Sequence, residues 1–474
     1  MKSVLRPTIV LLTVCVGSPD MVQAAGRKGY GGALKVPLKH TGGIVDPHRR
    51  AIDPSGRLGA ELAHCRLLRR DASGRLIGEL AEDAWSFRSE GNRGTLELRI
   101  RRGATFHDGT RISIKHIESS LKRYKSTGGN MWLRELLREI AIKRSGRRTV
   151  LLTVPMQRGG HKGTEERLLE LLSRPELAIT NVVRGQTSGC GPYMPRGRSN
   201  VLRAFKGHPL GRPWIDAVHI KVMETDTEES ILYRDRKLDM SLVGSRDHVG
   251  GTSQGLKAYA TLFLIPSPML RTRGRELLNF RLAVYHALKK GSLLNNVNHQ
   301  GAVRVAEGLF PRAFSARRIP STRGGEWSDD LVIAYPEEHE KLRRPAALIR
   351  DILKRSVAGG SVSSPPVAGL TVEKAVNAVR PAWDFALVMF EWAAHTDAQA
   401  IMEARFRLKL GNSPTPANFF QGARLKTYGP SLWNKNVPVI PLLHFERNVH
   451  HRKALHIEPS VETPDLSNSW LKQP

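Results

Sequence analysis

The sequence has few cysteines and no apolar run long enough to span a membrane, and each shortage excludes a class of protein. Three cysteines in 474 residues exclude a scaffold built on disulfides and provide no repeated Cys-x-x-Cys pair for zinc. The only long apolar run, residues 7–17, is too short to cross a bilayer as a helix. Apolar residues still form 40% of the chain and charged residues 25%, which is enough for the cores of two or three folded domains.

The N-terminal segment has the three parts of a secretory signal peptide. Lys2 and Arg6 form a basic head, residues 7–17 form the apolar middle, and Val22-Gln23-Ala24 is an exit suited to cleavage. We therefore predict a signal peptide over residues 1–24 and export of the mature chain to the periplasm.

The three cysteines each leave two interpretations open. Cys15 follows an apolar run, as the lipid-bearing cysteine of a lipoprotein does, but Val14 stands where a small side chain is required, so ordinary cleavage is favoured over an anchor. Cys65 and Cys190 are free to pair as a disulfide in an oxidising compartment. Two buried thiols fit the sequence equally well.

Hydrophobic periodicity changes repeatedly between strand spacing and helix spacing. Apolar residues alternate over residues 95–100, which is typical of a half-buried strand. Over residues 114–124 they recur every three or four positions, which predicts an amphipathic helix. Because such segments interleave irregularly along the whole chain, we expect a mixed α/β assembly of two or more lobes.

Signals for catalysis are weak. Ser253 lies in a G-x-S-x-G match at residues 251–255, but that pattern requires a strand-to-helix turn, and no convincing helix start follows. His444, His450 and His451 lack the helical spacing of metal ligands. There is also no phosphate-binding loop, dinucleotide fingerprint or zinc-finger spacing. The sequence therefore predicts no enzyme activity, metal, cofactor or nucleic-acid partner.

A series of short motifs follows in a fixed order along the mature chain. The motifs are residues 31–36 (GGALKV), 45–48 (VDPH), 67–76 (LLRRDASGRL), 80–85 (LAEDAW), 98–110 (LRIRRGATFHDGT), 189–193 (GCGPY), 211–216 (GRPWID), 280–290 (FRLAVYHALKK) and 437–442 (VPVIPL). Over nearly all of the mature chain, this series resembles the extracellular solute-binding proteins of family 5, the peptide, dipeptide and nickel receptors of ABC importers.

Several motif residues are expected to act in folding. We predict that Phe106 fills a core, while Asp108 and Gly109 make a turn and cap the helix that follows. Gly189 and Gly191 are expected to free the backbone where the chain enters the next strand.

The resemblance implies an α/β fold of two lobes, the type II periplasmic binding-protein architecture in its large peptide-binding class, with a hinge and an inserted subdomain. By that pattern, lobe I consists of residues 25–62, 182–262 and 438–474, the inserted subdomain of residues 63–181, and lobe II of residues 263–437. Such a protein captures its solute by closing the two lobes over it.

The resemblance also places a ligand-binding segment near the end of lobe II. In peptide-binding relatives, a segment similar to GWGADYPDP lines the cleft, its backbone pairs with the ligand, and its first Asp binds the ligand's amino group. The matching candidate residues here are Glu391, Trp392, Ala393, Ala394, His395 and Asp397. Trp392 matches the tryptophan, whereas His395 stands where the anchoring Asp would be.

This substitution leaves the polar anchor open. A neutral imidazole does not replace a carboxylate opposite an ammonium group, and a protonated imidazole repels one. Asp397 and Glu391 are the other candidates, and strand alternation puts Glu391 on the same face as Ala393 and His395. The remaining interpretation is that His395 is a polar residue at the cleft edge that contacts no ligand.

The sequence therefore predicts the solute-binding component of an ABC importer, which captures an oligopeptide or dipeptide and delivers it to permease subunits.

The net charge of the chain suggests an alternative function. Against 74 Lys and Arg the chain has only 44 Asp and Glu, and its formal charge of +30 falls only to +29 when Lys2, Arg6 and Asp20 are removed with the signal peptide. A basic envelope protein that keeps the fold and holds anionic partners, such as a membrane surface, is the second hypothesis. A solvated basic surface without a partner is the simplest explanation of the charge.

Overall fold

The computed structural model describes most of the chain between residues 29 and 471. The described residues are 29–50, 54–71, 73–129, 131–156, 161–196, 200–243, 251–271, 276–277, 279–280, 282–284, 287, 303–306, 329–337, 340–356, 359–370, 374–375, 378–392, 439–458 and 464–471. The predicted signal peptide and Cys15 lie outside them.

The described helices are short. They are α1 (Gly42–Val45), α2 (Pro47–Arg50), α3 (Pro54–Ala63), α4 (Ile114–Thr127), α5 (Met131–Arg138), α6 (His161–Leu172), α7 (Asp226–Arg234), α8 (Pro268–Arg271) and α9 (Glu340–Ser356), with a 3-10 turn at Pro175–Leu177. Within the described ranges, no helix has the length and apolar content that a membrane span requires.

The strands form several separate sheets. They are β1 (Ala33–Leu38), β2 (Leu68–Arg70), β3 (Leu76–Gly78), β4 (Ala81–Glu90), β5 (Arg93–Ile100), β6 (Ala141–Ser145), β7 (Thr149–Pro155), β8 (Asn181–Val183), β9 (Gln186–Ser188), β10 (Tyr193–Pro195), β11 (Val201–Ala204), β12 (Ala217–Val222), β13 (Met240–Ser241), β14 (Gly251–Pro266), β15 (Val303–Val305), β16 (Leu331–Pro336), β17 (Val362–Ser363), β18 (Pro366–Val367), β19 (Phe385–Trp392), β20 (Ile440–Arg452), β21 (Leu455–Glu458) and β22 (Asp465–Leu471).

The sheets divide the chain into distinct packing units. A four-stranded sheet has the order β1-β12-β11-β10, and a second has the order β4-β5-β7-β6. The largest follows the order β13-β20-β14-β19-β16-β17, with β15 added to β20 and β18 added to β16. Three hairpins, β2-β3, β8-β9 and β21-β22, lie beside them.

Three hydrophobic cores correspond to these sheets. Core 1 is formed by residues from 34 to 63, from 193 to 256 and from 449 to 466. Core 2 lies between residues 65 and 190, and core 3 between residues 260 and 445. Core 1 contains residues from both ends of the described chain, so the chain leaves core 1 for core 2 and later returns to it.

Core 2 confirms the periodicity seen in the sequence. Leu96 and Leu98 on β5 are fully buried, as the alternation predicts. Helix α4 buries its predicted apolar face, including Ile117, Leu121 and Tyr124, in the same core. The segment whose apolar residues repeat every two positions is therefore a strand, and the segment whose apolar residues repeat about every 3.6 positions is a helix.

The turn before α4 is partly as predicted. Phe106 is fully buried, and the Thr110 amide donates to Asp108 Oδ1 at 2.8 Å within the turn. The prediction that Asp108 and Gly109 cap the following helix was wrong, because α4 begins at Ile114 with Ser113 as its N-cap. The link between them is extended backbone, in which Ile112 N–H donates to Ala104 O at 2.9 Å.

A disulfide joins the two ends of the core 2 segment. Cys65 and Cys190 are bonded, with their Cα atoms 5.2 Å apart and a sequence separation of 125 positions. Both residues are buried. Of the two interpretations that the sequence left open, the structure has the disulfide.

The glycines beside Cys190 allow the backbone to pass against the end of α3. A Cβ atom at Gly189 would collide with the Ala63 carbonyl oxygen, and one at Gly191 would collide with the His64 amide nitrogen. The chain then enters β10 at Tyr193, as predicted. Close approach of two backbone segments is the physical reason for both glycines.

Candidate functional site

Two long antiparallel strands, β14 and β20, each take part in two cores. Strand β14 supplies Leu256 to core 1 and Leu262 and Leu264 to core 3. Strand β20 supplies Phe445 to core 3 and Val449 to core 1. Because both strands run through both cores, a change in the relative orientation of cores 1 and 3 must bend them.

A β-bulge lies on this pair of strands at the passage from one core to the other. Gly255 pairs with Asn448 and Tyr259 with Glu446, so residues 256–258 of β14 are opposite Arg447 alone. Bulges interrupt the ladder and bend the strand that carries them. The strand pair is therefore least regular where it crosses between the cores.

Strand β19 ends beside this bulge. It pairs antiparallel with β14, with Glu391 opposite Ala260 and Trp392 opposite Tyr259. Tyr259 is the first residue of β14 to resume pairing with β20 after the bulge. The last residue of β19 thus lies at the boundary between core 1 and core 3.

Of the predicted ligand-binding residues, the structure brings two to this boundary. The backbones of Glu391 and Trp392 are the last two positions of β19. The side chains of Glu391 and Trp392 lie outside the described part of the chain. The same is true of four whole residues: Ala393, Ala394, His395 and Asp397. Contact of these six residues with a ligand stays a prediction.

A buried polar pair that sequence reasoning did not connect lies one position along β14. Thr261 is paired in register with His444, and Thr261 Oγ1 is 2.7 Å from His444 Nδ1. Both side chains are buried in the large sheet. The bond satisfies polar atoms that burial would otherwise leave unpaired. The two residues are 183 apart in sequence, so no local pattern indicates the pair.

The G-x-S-x-G match is part of a strand. Residues 251–255 pair continuously with residues 448–452 of β20, and Ser253 faces His450 in this register. A nucleophile elbow requires a sharp turn from a strand into a helix. The structural condition for a hydrolase at Ser253 is therefore not met. Within the described ranges, no cluster of His, Cys, Asp and Glu is arranged to hold a metal ion.

A buried ion pair fixes the core 2 segment to core 1. Arg69 on β2 donates from Nη2 to Asp465 Oδ2 on β22 at 2.5 Å and from Nη1 to Ser467 Oγ at 3.1 Å. Burial alone would raise the pKa of the Asp465 carboxyl, but the Arg69 guanidinium and the Ser467 and Asn468 donors hold that pKa below its usual value. Arg69 and Asp465 join the first hairpin of core 2 to the last strand of the described chain.

Solved structures of similar fold are solute-binding proteins. The chain aligns with the oligopeptide-binding protein AppA of Bacillus subtilis, solved with a nonapeptide, at a TM-score of 0.67 and 14% identity, covering 94% of this chain and 100% of that one. The periplasmic binding protein DppA of Helicobacter pylori, solved with the peptide STSA, gives 0.69 and 12%, with 94% and 99% covered. NikA of Brucella suis, solved with Fe(III)-EDTA, gives 0.67 and 14%, with 93% and 100% covered.

These likenesses confirm the predicted α/β fold of two lobes. No curated protein was found to be similar to the chain. Residues 75–318, just over half of the chain, match the family described as bacterial extracellular solute-binding proteins, family 5 Middle. The chain therefore belongs to the family 5 extracellular solute-binding proteins.

Proposed function

We propose that this protein captures a peptide-like solute, an oligopeptide or a dipeptide, between its two lobes and delivers it to the permease subunits of an ABC importer from the periplasm. One observation carries the proposal: the strand that ends in Trp392 stops beside the bulge where β14 and β20 cross between core 1 and core 3. A ligand held by that strand end lies where closure of the lobes encloses it.

We also propose the domain boundaries that the resemblance implies. Lobe I is residues 25–62, 182–262 and 438–474, the inserted subdomain is residues 63–181, and lobe II is residues 263–437. The three cores support the division in outline, and they put the crossing of β14 from core 1 to core 3 between Leu256 and Ala260, a few residues before the boundary at 262. The ion pair between Arg69 and Asp465 also supports the division, because it joins the proposed inserted subdomain to the proposed lobe I.

In the proposed binding mode, backbone groups after Trp392 pair with the main chain of the ligand. Main-chain pairing binds many side chains with one geometry, which suits a receptor for peptides of varied sequence. The Trp392 ring packs on the ligand, and a polar side chain at position 395, 397 or 391 binds the ligand's end.

The tryptophan is tested by thermal shift with pools of peptides of two to five residues. We expect the Tm of the parent protein to rise with peptide concentration, because a ligand that binds only the folded state stabilises it. Trp392→Ala should require a peptide concentration at least tenfold higher for the same rise in Tm. Trp214→Ala is the matched control, because Trp214 stacks on Tyr30 with ring centroids 4.5 Å apart and is no part of the proposed ligand-binding segment 391–397. No Tm change with any pool would contradict the proposal.

The polar anchor is tested with one peptide in two forms, with a free amino terminus and with an acetylated one. His395→Asp should strengthen binding of the free form selectively, because it restores a carboxylate opposite the ammonium group. Asp397→Asn and Glu391→Gln each remove one of the other candidate carboxylates. Equal binding of both forms by the parent and all three variants would exclude amino-terminal recognition.

The ligand itself is identified by mass spectrometry of small molecules released from the purified protein on denaturation. A peptide in the released fraction supports the proposal. A consistently co-purified solute of another class, with none of the peptides binding, would replace the peptide with that solute.

A further inference from the structure

The inserted segment contains a pocket lined by arginines, far from the end of β19 in the sequence and built on core 2. Its volume is about 410 Å³. Five guanidinium-bearing residues, Arg101, Arg102, Arg111, Arg147 and Arg148, line it together with residues 100, 103–104 and 112–114. A cavity of this size accepts a small ligand.

Three separate pieces of chain bring these arginines together. Arg101 and Arg102 follow the last residue of β5, and Arg111 forms a bridge to Thr105 in the link that leads to α4. Arg147 and Arg148 lie in the tight turn between β6 and β7. Backbone hydrogen bonds hold the pieces in place, including Ile100 N–H to Arg148 O at 2.8 Å.

Two of the five positive charges are neutralised by carboxylates behind the pocket. Arg148 Nη1 is 2.9 Å from Glu82 Oε1, and Arg101 Nη2 is 3.0 Å from Asp83 Oδ2. The same guanidinium groups donate to backbone carbonyls, Arg148 to Ile100 O at 2.9 Å and Arg101 to Gly78 O at 3.1 Å. These contacts fix the two arginines as one wall.

The other three arginines have no such neutralisation. Arg102, Arg111 and Arg147 are exposed to solvent, and among the described residues no carboxylate forms an ion pair with any of them. All three residues line the same cavity, so their positive charges add to its potential, and an anion bound there lowers the energy of the group.

The start of α4 adds to the positive potential. Ser113 and Ile114, the N-cap and first residue of this 14-residue helix, also line the pocket. The N-terminus of a helix carries a partial positive charge, which favours an anion. The Ser113 amide itself already donates to His116 Nδ1 at 3.1 Å, so the contribution of the helix is its dipole.

We propose that this pocket binds a phosphate group, carried either by a soluble molecule or by the headgroup of an anionic phospholipid. Guanidinium groups match phosphate oxygens with paired hydrogen bonds, which makes arginine the preferred side chain for this anion. The site is distinct from the proposed solute cleft, because the pocket is built on core 2 and Trp392 lies at the boundary of cores 1 and 3.

The test compares two triple variants of equal charge. Arg102→Gln/Arg111→Gln/Arg147→Gln removes the three unneutralised pocket arginines. Arg93→Gln/Arg203→Gln/Arg380→Gln removes three exposed arginines outside the pocket. Both variants should keep the parent Tm, because all six side chains are exposed.

Two probes distinguish the sources of phosphate. Binding of inorganic phosphate is measured by calorimetry in low salt, and binding to phosphatidylglycerol vesicles is measured by sedimentation, with phosphatidylcholine vesicles as the neutral reference. We expect the parent to bind at least one anionic probe, the pocket variant to bind it at least tenfold more weakly, and the control variant to stay within about twofold of the parent. Binding of phosphate alone assigns a soluble ligand, and binding of vesicles alone assigns a lipid headgroup.

Two results of this comparison overturn the proposal. One is absence of binding to both probes, and the other is an equal loss of affinity in both triple variants, which would show a general effect of net charge. A third variant, Arg102→Lys/Arg111→Lys/Arg147→Lys, keeps the charge and removes the guanidinium geometry. It should bind at least threefold more weakly than the parent, and unchanged affinity would also contradict a site built on arginine.

Discussion

At the scale of single residues, Gly191 illustrates a steric requirement for glycine. An added Cβ atom would collide with the His64 amide nitrogen and the Ala63 carbonyl carbon, both of which are backbone atoms that have no rotamer to change. We expect Gly191→Ala to lower the free energy of unfolding by about 2–3 kcal/mol, as overpacking of a core does. Chemical denaturation measures this value.

Gly163 provides the matched control for Gly191. It lies in α6, and a Cβ atom added there would have no atom within 4 Å. Gly163→Ala should leave the protein unchanged or stabilise it by up to about 1 kcal/mol, since alanine is the better helix former. A destabilisation equal to that of Gly191→Ala would refute the steric explanation.

His64 makes stability depend on pH. Burial lowers the pKa of His64 to about 3, although its ring donates to Ile44 O at 2.8 Å. In the unfolded chain the ring takes up a proton below about pH 6.5, whereas in the folded chain it does so only near pH 3, so stability is lost as pH falls through this window. His64 alone should account for about 2 kcal/mol of the loss between pH 7 and pH 5.

The experiment is urea denaturation of the parent and His64→Gln at both pH values. The difference in unfolding free energy between pH 7 and pH 5 should be smaller in the variant by about 2 kcal/mol. His161→Gln removes an exposed ring and should leave the difference unchanged. An identical pH dependence in parent and His64→Gln would exclude His64 as its source.

At the scale of elements, the Cys65–Cys190 disulfide joins residues 125 positions apart in sequence and closes a loop that contains all of core 2. A crosslink across so long a segment restricts the unfolded chain and stabilises the fold by about 4–5 kcal/mol in the chain-entropy treatment. We expect Cys65→Ala/Cys190→Ala to unfold at correspondingly lower denaturant concentration. Added reductant should lower the midpoint of the parent and leave that of the variant unchanged; a midpoint that reductant does not move in the parent would contradict the crosslink.

Elements with a strong local pattern could be predicted from the sequence, and those fixed by distant partners could not. Strand β5 and helix α4 are amphipathic, so their periodicity alone predicts them. Strand β14 is buried along most of its length and carries the misleading match around Ser253, and its identity depends on pairing with β19 and β20. The N-cap at Ser113 was missed because Asp108 offered a capping residue nearby.

The candidate site was predictable only in part, for the same reason. The segment around Trp392 was located through its resemblance to relatives, and the structure adds its position beside the bulge of β14. Thr261 pairs with His444, which is 183 positions away in the sequence. Arg69 pairs with Asp465, which is 396 positions away. No spacing rule reaches across such distances, since register and packing bring these residues together.

At the scale of the whole molecule, closure of the lobes predicts a change of shape on binding. If β14 and β20 bend at the bulge between residues 255 and 259, a ligand that stabilises the parent should reduce its radius of gyration in small-angle X-ray scattering. Trp392→Ala at the same peptide concentration should keep the larger radius. A constant radius in a protein shown to be saturated with ligand would mean that binding occurs without closure.

The return of the chain to core 1 determines when that core is complete during synthesis. Leu34, near the start of the described chain, and Leu466, near its end, pack in the same core, and β22 completes a hairpin with β21. During synthesis, core 1 therefore lacks Leu466 and strand β22 until residues 465–471 have left the ribosome. Complete folding of core 1 before that point is excluded, so its early residues must wait for a segment more than 400 positions away.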